Sequence, residues 1–60
     1  MTKKRELERE LIQAGWVKKA KKRGSHDKFE KPGMRSISVP RSREIKDRTA
    51  EEIRKEAGLR

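Results

Sequence analysis

The chain lacks cysteine and tyrosine, and it has one histidine, one tryptophan and one phenylalanine among its 60 residues. Without cysteine, disulfide bonds and thiolate metal sites are excluded. No apolar run has the length of a membrane span or of the core of a signal peptide. We therefore expect a cytoplasmic protein that has no membrane partner.

The second scarcity is of apolar residues, which make up only 28% of the chain. Those present recur at regular spacings, and this favours a folded chain over a disordered one although nearly half of the residues are charged. So short a chain has room for one core and one domain, here residues 1–60. The residues expected to supply that core are Leu7, Leu11, Ile12, Trp16, Val17, Phe29, Met34, Ile37, Val39, Ile45, Ile53 and Leu59.

Positive charge is abundant: 19 Lys and Arg stand against 10 Asp and Glu, a formal net charge of +9. The excess lies in the middle of the chain, from Lys18 to Lys28 and again from Arg35 to Arg48, while both ends are nearly neutral. Such a charge calls for a polyanionic partner or an acidic protein that masks it. Nucleic acid is the leading candidate.

The apolar spacing predicts a helix at each end of the chain. In TKKRELERELIQAGW, apolar residues recur at helical intervals, Thr2 is placed to cap the start, and Gly15 to end the helix with Trp16 folding back on Leu11. In TAEEIRKEAGL, Thr49 and Glu52 have the spacing of a capping box, and Gly58 lies where a helix ends.

Three short strands are predicted between the helices. WVKKAKK and HDKFEK flank a hairpin turn at Arg23-Gly24-Ser25, KPGM forms a second turn, and RSISVP alternates until Pro40 ends the pairing. The order α-β-β-β-α indicates an α+β fold, with a three-stranded antiparallel sheet and both helices on one face. The other face is expected to be polar, with Ser36, Ser38 and strand lysines on it.

His26 is the first candidate for chemistry, because an unperturbed imidazole pKa of about 6.5 suits proton transfer near neutral pH. A lone histidine is more often structural or merely solvated. Its context, however, favours a site: Gly24 permits close approach of a ligand, Ser25 offers a hydroxyl, and the surrounding cations attract phosphate.

Other groups of residues are weaker candidates for a functional site. Asp27, Glu30, Glu44 and Asp47 show no metal-ligand spacing, and we interpret them as solvated surface acids that balance lysines. The run KKAKKRG is as well explained by a solvated strand face as by a nucleic-acid contact. The two aromatic residues are expected in the core rather than as platforms for base stacking.

The segments LIQAGWV, GSHDKF, ISVP and IRKEAGL, in this order and spacing, resemble the HicA toxins of bacterial and archaeal toxin–antitoxin pairs, over essentially the whole chain. The resemblance implies a double-stranded-RNA-binding-domain-like fold. It also implies an mRNA interferase in which His26, after Gly24 and Ser25, is essential, and a HicB-type antitoxin that covers this histidine. Many members have a second histidine soon after the Val-Pro pair, where this chain has Arg41.

A single base suffices for RNA cleavage, because the 2′-hydroxyl of RNA is the nucleophile, so neither a metal nor a cofactor is needed. We expect His26 to take the 2′-hydroxyl proton and Lys28 to stabilise the charge on phosphorus, with Lys22 and Arg23 as alternates and Ser25 holding the phosphate. The proton donor to the leaving oxygen is open among His26, a lysine and water. Two rival classes also stay open: a non-catalytic basic nucleic-acid-binding domain and a pure interaction protein.

Overall fold

The computed structural model describes residues 1–19 and 26–59, and their order of elements contains the predicted helix, three strands and helix. Two further short strands, at Thr2–Lys3 and Glu44–Ile45, are present as well. The elements are β1 (Thr2–Lys3), α1 (Lys4–Gln13), β2 (Val17–Lys19), β3 (His26–Glu30), β4 (Ile37–Pro40), β5 (Glu44–Ile45) and α2 (Asp47–Glu56).

Helix α1 ends as predicted but begins differently. Gly15 has a φ of 98°, and the Trp16 N–H donates to the carbonyl of Leu11, which is the hydrogen bond of a Schellman motif. The prediction that Thr2 caps the start is wrong. The N-cap is Lys3, without a side-chain hydrogen bond, because Thr2 lies in strand β1 and its hydroxyl donates to Asp47 instead.

Helix α2 likewise ends as predicted but begins differently. Gly58 has a φ of 75°, and the Leu59 N–H donates to the carbonyl of Arg54, so the predicted C-terminal glycine is confirmed. The predicted capping box is wrong, because the helix begins at Asp47 and places Thr49 inside its first turn. Asp47 supplies the negative charge that a helix N-terminus favours.

The three central strands form an antiparallel sheet in the order β2-β3-β4. In the register, Lys19 pairs with Lys28 across β2 and β3, and His26 pairs with Pro40 across β3 and β4. The predicted turn at residues 31–34 is confirmed: the Met34 N–H donates to the carbonyl of Lys31, and Gly33 has a φ of 80°. The predicted turn at residues 23–25 lies outside the described residues.

Strands β1 and β5, which the sequence did not predict, pair with each other and tie the start of the chain to the connection before α2. Thr2 pairs with Ile45, Lys3 pairs with Glu44, and the Lys4 N–H donates to the carbonyl of Arg43. The sequence indicated no strand from Arg41 to Arg48, only a basic connection to the second helix. The pairing instead brings two basic segments together that lie far apart in the sequence.

The core lies between the helices and one face of the sheet, which confirms the α+β fold with both helices on one side. Its buried members are Leu7, Leu11, Trp16, Phe29, Ile37, Val39, Ile45, Ala50, Ile53 and Ala57. Three residues expected there are exposed instead: Ile12, Val17 and Met34. Val17 lies on the edge strand β2 opposite Glu30, and this register turns it to the outer face.

The two helices are joined by a charged pair at the edge of the core. Arg54 on α2 donates through Nε and Nη2 to the two carboxylate oxygens of Glu10 on α1, at 2.9 and 3.0 Å. Its Nη1 donates to Glu51 at 2.8 Å, and these carboxylates raise the pKa of the guanidinium above its usual value. A bidentate pair of this kind fixes the relative position of the helices.

Candidate active site

The face of the sheet that the helices leave uncovered, which we call the open face, carries the predicted catalytic residue. Along β3, side chains alternate between the two faces, so His26 and Lys28 lie on the open face while Asp27 and Phe29 are buried beneath the helices. His26 is exposed. Two residues apart on one strand, its side chain and that of Lys28 stand about 7 Å from each other.

The strand register adds neighbours that the sequence order does not suggest. Residues paired across antiparallel strands share a face at a separation of about 5 Å, so Lys19 lies beside Lys28 on one side and Ser38 lies beside it on the other. Lys28 Nζ also lies 3.6 Å from the Glu30 carboxylate. Both side chains of that pair are partly exposed, and a pair in contact with solvent holds a lysine only weakly. The open face therefore offers an imidazole with two ammonium groups along the sheet.

Of the other residues expected at the site, Lys22, Arg23, Gly24 and Ser25 lie outside the described residues. They precede His26 directly in the chain. Their roles as phosphate-binding residues stay predictions.

Asp27 is the largest departure from the sequence interpretation, which took it for a solvated surface acid. Its side chain is only 6% exposed, and it accepts hydrogen bonds from Lys4 Nζ at 2.5 Å and Arg41 Nε at 2.9 Å. Lys18 Nζ lies 3.6 Å away. The hydrogen bond from Lys4, aided by that from Arg41, lowers the pKa of this carboxyl from 3.8 to about 2 against the opposing effect of burial.

The charges around Asp27 continue into α1. Glu8 Oε2 lies 3.1 Å from Lys18 Nζ and 3.4 Å from Lys4 Nζ. The Glu8 carboxylate raises the pKa of Lys18 above its ordinary value. We call Lys4, Glu8, Lys18, Asp27 and Arg41 the buried ion network after its buried centre, Asp27; Lys18 and Arg41 at its margin are exposed. The network joins helix α1, the edge strand, β3 and the segment after β4 behind the open face.

Arg41, at the position where a second histidine was noted as absent, is therefore bound to Asp27. Of the four acids that were interpreted as solvated surface residues, Asp27 is buried among cations, and Asp47 accepts a hydrogen bond from Thr2. Among residues 1–19 and 26–59, no three acidic or histidine side chains converge in a way that could hold a metal ion. In the same part of the chain, neither helix is long and apolar enough to cross a membrane.

The fold and this face define a class of protein: a small basic α+β domain whose single histidine lies on the uncovered side of a three-stranded sheet. Residues 5–59 match the family model described as the HicA toxin of bacterial toxin–antitoxin systems. The chain belongs to the HicA toxin family. This membership confirms the resemblance inferred from the four sequence segments.

A solved structure is similar over nearly the whole chain. It is a chain of a toxin–antitoxin complex from Streptococcus pneumoniae, with 37% sequence identity and a TM-score of 0.86. The match covers 98% of the present chain and 100% of the other. Among curated proteins, none matches the chain significantly.

Sequence reasoning expected strand lysines on the open face but did not place Lys19 beside Lys28, and it missed the buried ion network. The signal for Lys19 was its place in a predicted strand, but the partner strand and register were needed to put it beside Lys28. The signal for Asp27 was its alternation with His26, since a strand that exposes one residue covers the next. Its cationic partners come from segments about 14 and 23 residues away in the chain.

Proposed function

We propose that this chain is a metal-independent endoribonuclease that cleaves mRNA in the cytoplasm as the toxin of a type II toxin–antitoxin pair, with His26 as the general base. The observation that supports this most is the placement of His26, exposed on an uncovered sheet face with Lys28 and Lys19 along the same face. An RNA strand laid across this face would meet the imidazole and the ammonium groups together.

The reaction follows from the chemistry of RNA. The neutral imidazole of His26 takes the 2′-hydroxyl proton, the 2′-oxygen forms a bond to phosphorus, and the bond from phosphorus to the 5′-oxygen breaks. The departing 5′-oxygen takes up a proton from the His26 imidazolium, a lysine or water. The products are a 2′,3′-cyclic phosphate and a 5′-hydroxyl end. Lys28 stabilises the charge that develops on the phosphoryl oxygens, with Lys22 and Arg23 as alternates and Ser25, after Gly24, holding the phosphate.

The buried ion network supports this assignment by keeping the neighbouring carboxylate away from the histidine. Asp27 points to the opposite face and is engaged by Lys4 and Arg41. Its negative charge is thereby neutralised locally, and the open face stays positive toward a phosphate backbone.

The decisive experiment compares wild type with His26→Ala on a labelled RNA in buffer containing EDTA. The variant should lose cleavage by at least about 100-fold, the range typical of a general base, while RNA affinity stays within a few-fold. DNA of the same sequence should bind and stay intact, because it lacks the 2′-hydroxyl. Undiminished cleavage by the variant, cleavage of the DNA, or a strict need for Mg²⁺ would refute the mechanism. Binding without cleavage by wild type would favour the non-catalytic alternative.

The proposal includes a HicB-type antitoxin that covers the open face and blocks His26. The family membership and the similarity to a chain of a toxin–antitoxin complex support such a partner. Titration of antitoxin into the cleavage assay, with thermal melting in parallel, tests the occlusion. Cleavage should fall as the melting temperature rises, since a ligand that binds only the folded state stabilises it. Changing Lys22, Arg23 and Lys28 together to Ala should slow association at low salt.

A further inference from the structure

A second basic surface lies at the start of α1. An open cleft of about 630 Å³, which we call the α1-start cleft, has a lining made entirely of charged residues. These are Lys3, Lys4, Arg5, Glu8, Arg41, Arg43 and Glu44. Five cations against two carboxylates leave the cleft positive.

The unpredicted β1–β5 pairing builds this cleft. It sets residues 3–5, at the start of α1, against residues 41–44, which precede α2. The sequence shows the first of these segments in a nearly neutral region and the second in a basic connection. Only their contact concentrates the charge.

Three of the cations are available to a ligand. Lys4 and Arg41 are engaged by Asp27 in the buried ion network, whereas Lys3, Arg5 and Arg43 are exposed and, within residues 1–19 and 26–59, form no ion pair. The first turn of α1 receives no side-chain cap from Lys3, and the positive end of the helix dipole favours an anion there.

The cleft adjoins the candidate active site. Arg41, in its lining, directly follows Pro40, which pairs with His26. Lys4, also in its lining, contacts Asp27, the residue next to His26 in the chain. These contacts place the cleft on the covered side, at the end of the sheet where His26 pairs with Pro40, so an RNA strand bound at His26 would reach the cleft by passing round this end of the sheet.

We propose that the α1-start cleft binds backbone phosphates of the RNA strand whose scissile bond lies at His26, an inference that rests on the proposed function. The positive lining, with three exposed cations that form no ion pair among residues 1–19 and 26–59, favours RNA, because a phosphate backbone is bound chiefly through charge. The cleft supplies affinity and position, and the open face supplies the chemistry.

The test measures binding of a fluorescent single-stranded RNA to proteins that carry His26→Ala, at several salt concentrations. Arg5→Ala changes a cleft residue, and Arg9→Ala removes the same charge from an exposed position one turn further along α1, outside the cleft. Arg5→Ala should weaken binding about threefold and reduce the slope of log affinity against log salt by about 0.7, while Arg9→Ala changes neither appreciably.

Replacing all three exposed cations of the cleft should weaken RNA binding further. K3A/R5A/R43A should weaken binding at least about tenfold and lower the salt slope by about 2, and R9A/R35A/K55A is its control of equal charge outside the cleft. Thermal melting curves check that each variant is folded. The variant K3R/R5K/R43K keeps the three charges and should bind RNA with the affinity of the parent protein.

Equal losses in the cleft and control variants, or no loss in either, would overturn the proposal. A cleft variant that binds RNA normally but loses affinity for the antitoxin would also overturn it, in favour of protein docking. Because binding is measured apart from cleavage, the two failures are distinguishable. A wild-type protein that binds RNA through the cleft but does not cut it would refute the proposed function, whereas cleavage by a wild-type protein whose RNA binding is unaffected by the cleft variants would refute this inference alone.

Discussion

The two faces of strand β3 show how differently adjacent residues of one segment are used. On the covered face, Asp27 and Phe29 are almost wholly inaccessible to solvent, one within an ion network and the other within the apolar core. On the open face, His26 is exposed and Lys28 partly so. The covered face should therefore carry stability and the open face activity, and the four predictions below test that division.

The largest effect on folding is expected for Phe29→Ala. The side chain is fully buried in the core, and truncation should cost about 3–5 kcal/mol, which is about the whole stability that one core supplies at this size. Circular dichroism should show a largely unfolded chain at 25 °C. Phe29→Leu, which preserves most of the volume, should stay folded. A cooperative melt of Phe29→Ala close to that of wild type would contradict the placement of this residue.

Asp27→Asn comes next, with an expected loss of about 3 kcal/mol in the free energy of unfolding. The replacement removes the negative charge that Lys4 and Arg41 share, and breaking a buried pair is costly. Urea denaturation at pH 7 measures the loss. The control is Glu56→Gln, an exposed acid, which should change stability by less than about 0.5 kcal/mol. Equal small changes in both variants would mean that the ion network contributes little.

The lowered pKa of Asp27 predicts that the free energy of unfolding falls in acid. Because folding lowers the pKa of Asp27 from 3.8 to about 2, its contribution is complete above about pH 4 and is lost as the pH falls through 2. This amounts to about 2 kcal/mol. Urea denaturation of wild type and Asp27→Asn between pH 2 and 6 should give free energies that converge at the acid end. Parallel curves would show that Asp27 is not the group that titrates.

The smallest effect on stability is expected for Lys28→Ala on the open face, less than about 0.5 kcal/mol, since the side chain is partly exposed and its ion pair with Glu30 is in contact with solvent. Cleavage of RNA should nevertheless fall by about 10-fold to 100-fold, because a cation beside the phosphate is lost. Lys55→Ala on α2, exposed and remote from β3 in the chain, should alter neither property. A Lys28 variant that unfolds readily yet cleaves normally would reverse the proposed division between the faces.

Much of the fold was predictable because it depends on local signals. The helical spacing of Leu7 and Leu11, the glycines after both helices and the Pro-Gly turn before β4 each act within a few residues, and all are confirmed. The helix starts were predicted wrongly. Thr2 and Thr49 have the chemistry of caps, but the pairing of β1 with β5 draws Thr2 into a strand, and α2 begins at Asp47.

The features of the candidate site also separate into those that local sequence predicts and those that depend on the fold. The single histidine, the positive charge and the alternation that separates His26 from Asp27 follow from the residues alone, because they depend on residue identity and a period of two. Which charges meet depends on how the strands and helices pack. Strand register brings Lys19 to Lys28, and long-range pairing brings residues 3–5 to 41–44. Charges interact strongly only when they lie within a few ångströms of each other. Residues that are far apart in the sequence reach such distances only when the chain folds.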